Sequence, residues 1–402
     1  MKSRNTIDLS PKQRAAFVSA IRTDERIRGL THGFYRYPAR FSPQFPAAAI
    51  RCFTKPGDLV LDPYMGGGTT VVEAMAAGRR VIGNDLNELA VFVARVKTSR
   101  LISEEVDALH RWALEIPGNV NFRRPISDDE AMPDVRVSRN LGLYRSRYVK
   151  KGIALALGTV SSLPTENCRN FARCAILHVS QLALDGRRTH TSLEEFRAKL
   201  RSRTIEMLDE ADAFSGVTAH LSSGTGHCYL YEGDARELPL KPAFTDHCEQ
   251  ADLVITSPPY PGVHVLYHRW QVDGRKETPA PYWIAACRDG EGAAYYNFGG
   301  RKQLGLRRYF ESAAKSFAAV RSVMKNGAYL VQLVAFSDPT AQLPLYLDAL
   351  AGAGLEEAFL FRRSGEAGDR RVWRDVPNRK WHATSKGITR GAREVVLIHR
   401  AM

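Results

Sequence analysis

Residues 58–85 read DLVLDPYMGGGTTVVEAMAAGRRVIGND, and this stretch decides the fold. Asp58-Leu59-Val60-Leu61 is a short apolar run before a turn signal, which reads as a buried strand. From Asp62 to Gly68 the chain supplies a proline and three glycines in a row, a turn that needs backbone freedom. Residues 69–77 have helical spacing and stop at Gly78. Arg80-Val81-Ile82-Gly83 is a second strand ending at Asn84-Asp85, and residues 86–97 form a second helix. Strand, helix, strand, helix with short connections begins a doubly wound sheet, because each helix returns the chain to a parallel neighbour.

Working outward, Ser10-Pro11 is an N-cap with proline at the first helical position, and a helix to about Arg28 is expected. Residues 31–50, THGFYRYPARFSPQFPAAAI, form an ordered loop running into a short helix near Pro46. Residues 100–225 read mostly helical and basic. Ser192 and Glu195 make a capping box there, and Leu193, Phe196, Leu200 and Leu208 share one face. Arg136, Arg139, Arg145, Arg147, Lys150 and Lys151 surround Tyr144 and Tyr148. Strands return at 228–232, before Gly233-Asp234-Ala235, and at 252–256, before Ser257-Pro258-Pro259-Tyr260. Residues 261–305 are irregular. Phe310, Ala313, Phe317, Val320 and Met324 mark an amphipathic helix that stops at Asn326-Gly327. Residues 329–336 are a buried strand, and 355–361 pair with 394–399 as a terminal antiparallel hairpin. The expected architecture is α/β: a doubly wound, mostly parallel sheet with that hairpin and a helical insertion. Its parts are 1–98 with the glycine turn, a basic insertion at 99–226, and 227–402 with the Pro-Pro motif.

The chain has 402 residues, and 57 Lys and Arg against 43 Asp and Glu give a net charge of +14. Such an excess points to a polyanionic partner such as nucleic acid. No apolar run reaches the roughly 18 residues of a membrane helix, and the N-terminus lacks a signal-peptide core. The six cysteines are scattered without a CxxC pair, which argues against a zinc ribbon or disulfide scaffold and for a reduced, cytoplasmic protein without a structural metal.

Two strand-end motifs carry chemistry. Glycines after a strand let a ligand approach the backbone, and the next helix offers free N–H groups. Asp85 ends the second strand, where an acid can accept from ribose hydroxyls. Asp234 ends a later one, where it can accept from an adenine amine. Taken alone, the glycine turn is about as readily structural as functional. In Ser257-Pro258-Pro259-Tyr260, two prolines remove backbone donors and stiffen the chain. The serine hydroxyl and a neighbouring carbonyl can then accept from an exocyclic NH2. Tyr260 offers a face for stacking a flipped base. A rigid turn over a buried tyrosine fits the tetrapeptide equally well.

Together, Asp-Pro-Tyr-x-Gly-x-Gly-Thr-Thr after one strand and Ser-Pro-Pro-Tyr after another resemble the amino-type DNA methyltransferases, which use S-adenosyl-L-methionine to modify cytosine N4 or adenine N6. The resemblance covers 30–97, 228–262 and roughly 305–400. It implies a cofactor loop at Asp62, Gly66, Gly68 and Thr69, with Pro63, Tyr64 and Thr70 beside them. It further implies that Asp85 holds the ribose and Asp234 the adenine, while Ser257, Pro258, Pro259 and Tyr260 hold the target base. Tyr37-Pro38-Ala39-Arg40-Phe41 resembles the family's N-terminal cofactor motif, which adds Tyr37, Arg40 and Phe41. Tyr64 and Gly67 stand where the family commonly has Phe and Ser. Ser257 in place of an Asp resembles the cytosine-N4 group. Carbon-5 methylation is excluded because no Pro-Cys occurs.

Duplex DNA is the expected partner, with Arg269, Arg275, Lys276, Arg370, Arg371, Arg379 and Lys380 as phosphate contacts. His264 and His268 have no acidic partner in a ligand arrangement, so no metal is expected. There is no nuclease motif, so any restriction endonuclease is a separate protein. Adenine N6, an RNA or protein amide, and a catalytically silent DNA-binding module are the competing readings.

Overall fold

The computed structural model describes residues 5–402 except 24, 26, 39, 41, 122, 124–137, 143–145, 186–190, 222–226, 262–268, 273–275, 291–302, 363–368 and 376–392. Two N-terminal helices, α1 (Pro11–Arg22) and α2 (Gln44–Phe53), precede β1 (Leu59–Asp62), α3 (Thr69–Ala76), β2 (Arg80–Asp85) and α4 (Glu88–Thr98). Four helices follow: α5 (Ser103–Asn119), α6 (Arg147–Gly158), α7 (Glu166–Leu184) and α8 (Leu193–Val217). Next come β3 (Cys228–Glu232), α9 (Pro242–Thr245), β4 (Ala251–Thr256), β5 (Trp270–Val272), β6 (Lys276–Thr278), α10 (Ala280–Ala285) and α11 (Gln303–Ser322). The chain ends with β7 (Met324–Ala335), α12 (Pro339–Gly352), β8 (Leu355–Ala358), β9 (Val372–Asp375) and β10 (Arg393–Ala401).

The main sheet runs β3-β2-β1-β4-β7-β10-β8, with β9 also on β10. Pairing is parallel from β3 to β7. It turns antiparallel at β10, which pairs β7 from Glu394↔Ala335 to Arg400↔Tyr329 and pairs β8 on its other side. From β1 the chain winds one way to β2 and β3, and from β4 the other way to β7. The strand ends of β1 and β4 therefore flank the switch point, where open α/β sheets bind ligands. This is the doubly wound, mostly parallel sheet with a terminal antiparallel hairpin expected from the sequence.

Side-chain alternation sorts the strands into two faces. Val60, Val81, Leu253, Ile255, Leu333 and Ile398 pack with Phe17, Ile21 and Phe45 of α1 and α2. Leu61, Ile82, Val254, Leu330 and Leu397 pack with Phe317 and Val320 of α11 and Tyr346 of α12. A third cluster belongs to α5–α8 and takes in Phe92 of α4, Tyr35 of the N-terminal segment and Trp270. Helices α5–α8 are thus joined to α4 by apolar burial.

Several boundaries differ from the sequence reading. Helix α1 is closed by its Ser10–Gln13 capping box at one end but stops at Arg22, where Thr23 turns extended. Met324 belongs to β7, and the glycine at 327, with φ +82°, lies inside that strand. In α8, Ser192 caps the Glu195 amide. The stretch read as irregular contains a two-stranded ribbon, β5–β6, and helix α10. The Tyr144, Arg145 and Arg136 cluster lies outside the described residues.

Candidate active site

The glycine turn is built from positive-φ backbone that only glycine adopts without strain. Gly66 has φ +49°, and Gly68, the N-cap of α3, has φ +74°. The Gly68 amide donates to the Met65 carbonyl at 2.9 Å, and the Met65 amide to the Asn84 carbonyl at 3.0 Å. The loop is packed on both sides. A Cβ on Gly67 would stand 2.7 Å from Cβ of Tyr37, and one on Gly68 2.9 Å from Cβ of Ala94. Tyr37 therefore supports the loop from behind, and its hydroxyl accepts from Asn87 Nδ2 at 3.0 Å. Asn87 Oδ1 in turn accepts from Tyr282 of α10 at 3.2 Å. Arg40 donates to the carbonyls of His32 and Tyr35, which holds the N-terminal segment in place. Burial, with Arg36 nearby, brings its guanidinium down to about 10. Phe41 lies outside the described residues.

Lys97, absent from the sequence reading, lies beneath the loop, 1% exposed, and donates to the Gly67 carbonyl at 2.6 Å. Burial first, then the charge of Arg40, pulls its ammonium down to about 7. Its signal in the sequence is a lone cation four residues after Val93, on the buried face of a strongly apolar helix.

At the end of β1, Asp62 is 1% exposed. Its Oδ1 accepts from the Tyr64 amide at 3.2 Å and from the Thr256 hydroxyl at 2.9 Å. Its Oδ2 is buried and, like the Thr70 hydroxyl that interacts with the carboxyl, makes no hydrogen bond of regular geometry among the described residues. Burial pushes the carboxyl up to about 7, against the opposing effects of Thr70, Thr256 and the Tyr64 amide, and Asp85 adds to the rise. An acid held this way suits a cationic ligand. Asp85, raised to about 6 by burial, accepts from the Gly66 amide at 2.8 Å and the Asn87 amide at 2.9 Å. It ties the glycine loop to the end of β2 and retains acceptor capacity for further donors. Thr69 and Thr70 are buried in the first turn of α3, while Pro63 is buried and Tyr64 packs against the α11 side of the sheet.

The Pro-Pro motif leaves β4 on the neighbouring strand. Ser257 Oγ donates to Tyr260 Oη at 3.0 Å, and Tyr260 donates to Glu394 Oε1 at 2.9 Å. The Tyr260 ring is 8% exposed and belongs to the α11-side core, so the stacking face expected from the sequence is largely covered. The Pro259 carbonyl accepts from Tyr309 of α11 at 2.6 Å, which pins the turn. Pro258 is buried.

The remaining expected site residues are engaged inside the chain. Asp234 caps the turn after β3 and forms a forked pair with Arg236, which together with the Arg236 amide holds its carboxyl low against the opposing effect of burial. Its lone pairs are not the open set that the adenine role assumes. Arg269 pairs with Asp289 at 2.9 Å. Arg370 lies over the Phe359 ring, 3.9 Å from its centroid, and donates to the Phe361 carbonyl. Arg371 grips Glu357 through two nitrogens at 2.6 and 2.7 Å. These three arginines act as internal anchors. Lys276 is exposed on β6, and Arg275, Arg379, Lys380, His264 and His268 lie outside the described residues. Among the described residues there is no group of three or more His, Cys, Asp or Glu able to hold a metal, and no helix long and apolar enough to cross a membrane.

Comparison with known proteins bears on this geometry. A DNA methylase family model, N6_N4_Mtase, matches residues 10–95, which contain α1, α2, the glycine loop and Asp85. The type II methyltransferase M.MjaII of Methanocaldococcus jannaschii is 29% identical over 118 residues, 29% of this chain and 21% of that protein. M.MvaI of Kocuria varians is 40% identical over 73 residues, 17% of this chain and 16% of that one. The DNA adenine methyltransferase YhdJ of Escherichia coli is 27% identical over 110 residues, 27% and 37% of the two chains. The chain thus matches well under half the length of these relatives. Among solved structures, TrmN of Thermus thermophilus aligns with a TM-score of 0.34 at 13% identity, covering 98% of this chain and 55% of that one. The fold assignment rests on the strand order and not on that alignment. S-adenosyl-L-methionine is the cofactor of the amino-type family, and the half-satisfied acid at the end of β1 fits its ammonium group. Residues 10–95, which carry the glycine loop and the ends of β1 and β2, are thus similar to the N6/N4 family of DNA methylases.

Proposed function

We propose that the chain transfers a methyl group from S-adenosyl-L-methionine to the exocyclic amine of a base flipped from duplex DNA, and that the amine is cytosine N4. The observation that carries this reading is the contact between the two motifs. Asp62 of the glycine-loop strand accepts from Thr256, the residue directly before Ser257, at 2.9 Å. A ligand on Asp62 and an amine on Ser257 would therefore be neighbours.

The cofactor supplies an electrophilic sulfonium methyl. Asp62 Oδ2 would hold its ammonium, and Asp85 has acceptor capacity left for the ribose hydroxyls. Ser257 Oγ and the Pro258 carbonyl accept from the two amine hydrogens, which favours a pyramidal nitrogen with an available lone pair. The amine lone pair would form the new nitrogen–carbon bond as the methyl–sulfur bond breaks, its electron pair leaving on sulfur as a neutral thioether, and the nitrogen would lose one proton, with no covalent bond to the chain. Placement of two reactants side by side lowers the entropic part of the barrier. Tyr260, being mostly buried, acts through its hydroxyl unless the base displaces the residues around it.

Cytosine is preferred over adenine because Ser257 occupies the position where the adenine-type enzymes commonly carry Asp. The similarity to the protein named DNA adenine methyltransferase YhdJ favours the second reading, adenine N6. Duplex DNA as the acceptor is supported by the net charge of +14. Incubation of purified protein with mixed-sequence duplex DNA, structured RNA and protein acceptors, with a labelled methyl donor, tests both points. The reading expects label in duplex DNA, as N4-methylcytosine. Label confined to RNA or protein would overturn it.

A further inference from the structure

Behind the Pro-Pro motif lies a buried ion pair that the proposed chemistry does not yet use. Glu394, the second residue of β10, is 6% exposed, and Arg374 of β9 is 8% exposed. The two are cross-strand partners in the β9–β10 register. Arg374 Nε and Nη2 both reach Glu394 Oε2 at 2.8 Å, and its Nη1 donates to the Ile21 carbonyl at 3.2 Å. The other carboxylate oxygen, Oε1, accepts from Tyr260. Burying two charges is costly, and a well-packed apolar pair would commonly serve stability as well or better. Stability alone is therefore a poor reason for this arrangement.

The geometry points to a role for Glu394 in setting the direction of the hydrogen bonds at the target motif; we infer that Glu394, held by Arg374, is a positioning residue that makes Ser257 a pure acceptor toward the substrate amine. The inference rests on the function proposed above. Its logic is one of proton order. An ionised carboxylate only accepts, so the Tyr260 proton must point to Glu394. The Tyr260 oxygen can then receive a proton, and Ser257 Oγ supplies it at 3.0 Å. With its own hydrogen committed, the Ser257 hydroxyl presents only lone pairs to an incoming group. A donor such as an NH2 group is accepted there, while a ring carbonyl meets lone pair against lone pair. A carboxamide at 394 could donate or accept, and the order would no longer be fixed.

The test uses the full chain with Glu394→Gln, Tyr260→Phe, their combination, and the charge-free pair Glu394→Gln with Arg374→Met, which guards against misfolding from a stranded arginine. Melting temperature and cofactor affinity are measured for each, together with kcat and KM for duplex DNA. The expected result is a fall in kcat of about 10- to 100-fold for Glu394→Gln, in line with mispositioning of a reacting group, with cofactor affinity within about twofold of wild type. The combination with Tyr260→Phe is expected to be no slower than the slower single variant, because both break one chain of bonds. Additive losses, or a Glu394→Gln enzyme with wild-type kcat, would overturn the inference. NMR of ring-labelled tyrosine supplies a readout independent of turnover. The Tyr260 hydroxyl proton is expected to be slow to exchange in wild type and to lose that protection in Glu394→Gln. A Tyr260 proton unaffected by that change contradicts the inference even in a chain that methylates DNA. Protection without any methyl transfer supports the proton order and sinks the proposed function instead.

Discussion

Asp62 holds a carboxyl raised to about 7, with burial as the main cause. The usual value, 3.8, lies below the folded one, so between the two the folded chain keeps a proton that the unfolded chain has lost. Stability therefore falls as pH rises from about 4 to about 7 and is flat above, with a ceiling on the order of 4 kcal/mol for the buried charge. Asp62→Asn is expected to raise the melting temperature of the cofactor-free protein at pH 8, and less so at pH 5, when followed by calorimetry. The same change is expected to weaken cofactor binding by roughly 100-fold, the loss of a charge-assisted hydrogen bond. In wild type, cofactor affinity measured by titration calorimetry should drop as pH falls below about 7, since a cation favours the ionised acid. An affinity that does not change between pH 5.5 and 8 would remove Asp62 from the cofactor site. Ser257→Ala should leave this affinity intact while abolishing most turnover. The placement of Asp62, Asp85 and Ser257 at strand ends was legible because each follows a short apolar run. Lys97, Asn87 and Glu394 were not, because their roles depend on neighbours 30, 50 and 134 residues away in the chain.

The glycine loop is the element whose shape matters most, and its sequence announced it. What could not be read was how closely it is backed. Tyr37 and Ala94 leave no room for a methyl group at Gly67 or Gly68. Gly67→Ala and Gly68→Ala are each expected to destabilise the chain by about 1–3 kcal/mol through overpacking, with added strain at Gly68 from its positive φ. Cofactor affinity should fall in parallel. Gly118, near the end of α5, meets nothing within 4 Å and serves as the control. Its change to Ala should be neutral or stabilise by up to about 1 kcal/mol in denaturant titrations. Parallel losses at Gly67 and Gly118 would deny the loop its special status. The strand–helix alternation of β1 to α4 was legible because apolar runs and turn residues alternate there. The β5–β6 ribbon was not, because each strand has three residues and a β-period needs more to show.

At the scale of the whole molecule, the strand order places the two motifs on adjacent parallel strands, although 194 residues separate Asp62 from Thr256. The two-way winding followed from the alternating pattern, but the docking of α5–α8 onto α4 did not, since it depends on apolar burial between distant helices. The basic excess was legible as a sum but not as a surface: Arg269 and Arg371 are held by acids within the chain. Arg371→Gln should therefore lower the melting temperature while leaving the salt dependence of DNA affinity close to wild type. A slope reduced by about one unit of log K per log salt would instead make Arg371 a phosphate contact. Methyl transfer to an exocyclic amine of DNA is decided by mass spectrometry of nucleosides from duplex DNA treated with the protein and isotopically labelled S-adenosyl-L-methionine. The expected product is labelled N4-methylcytosine; labelled N6-methyladenine would preserve the chemistry and reverse the base assignment. No labelled nucleoside, from protein shown to bind the cofactor and the duplex, would contradict the claim.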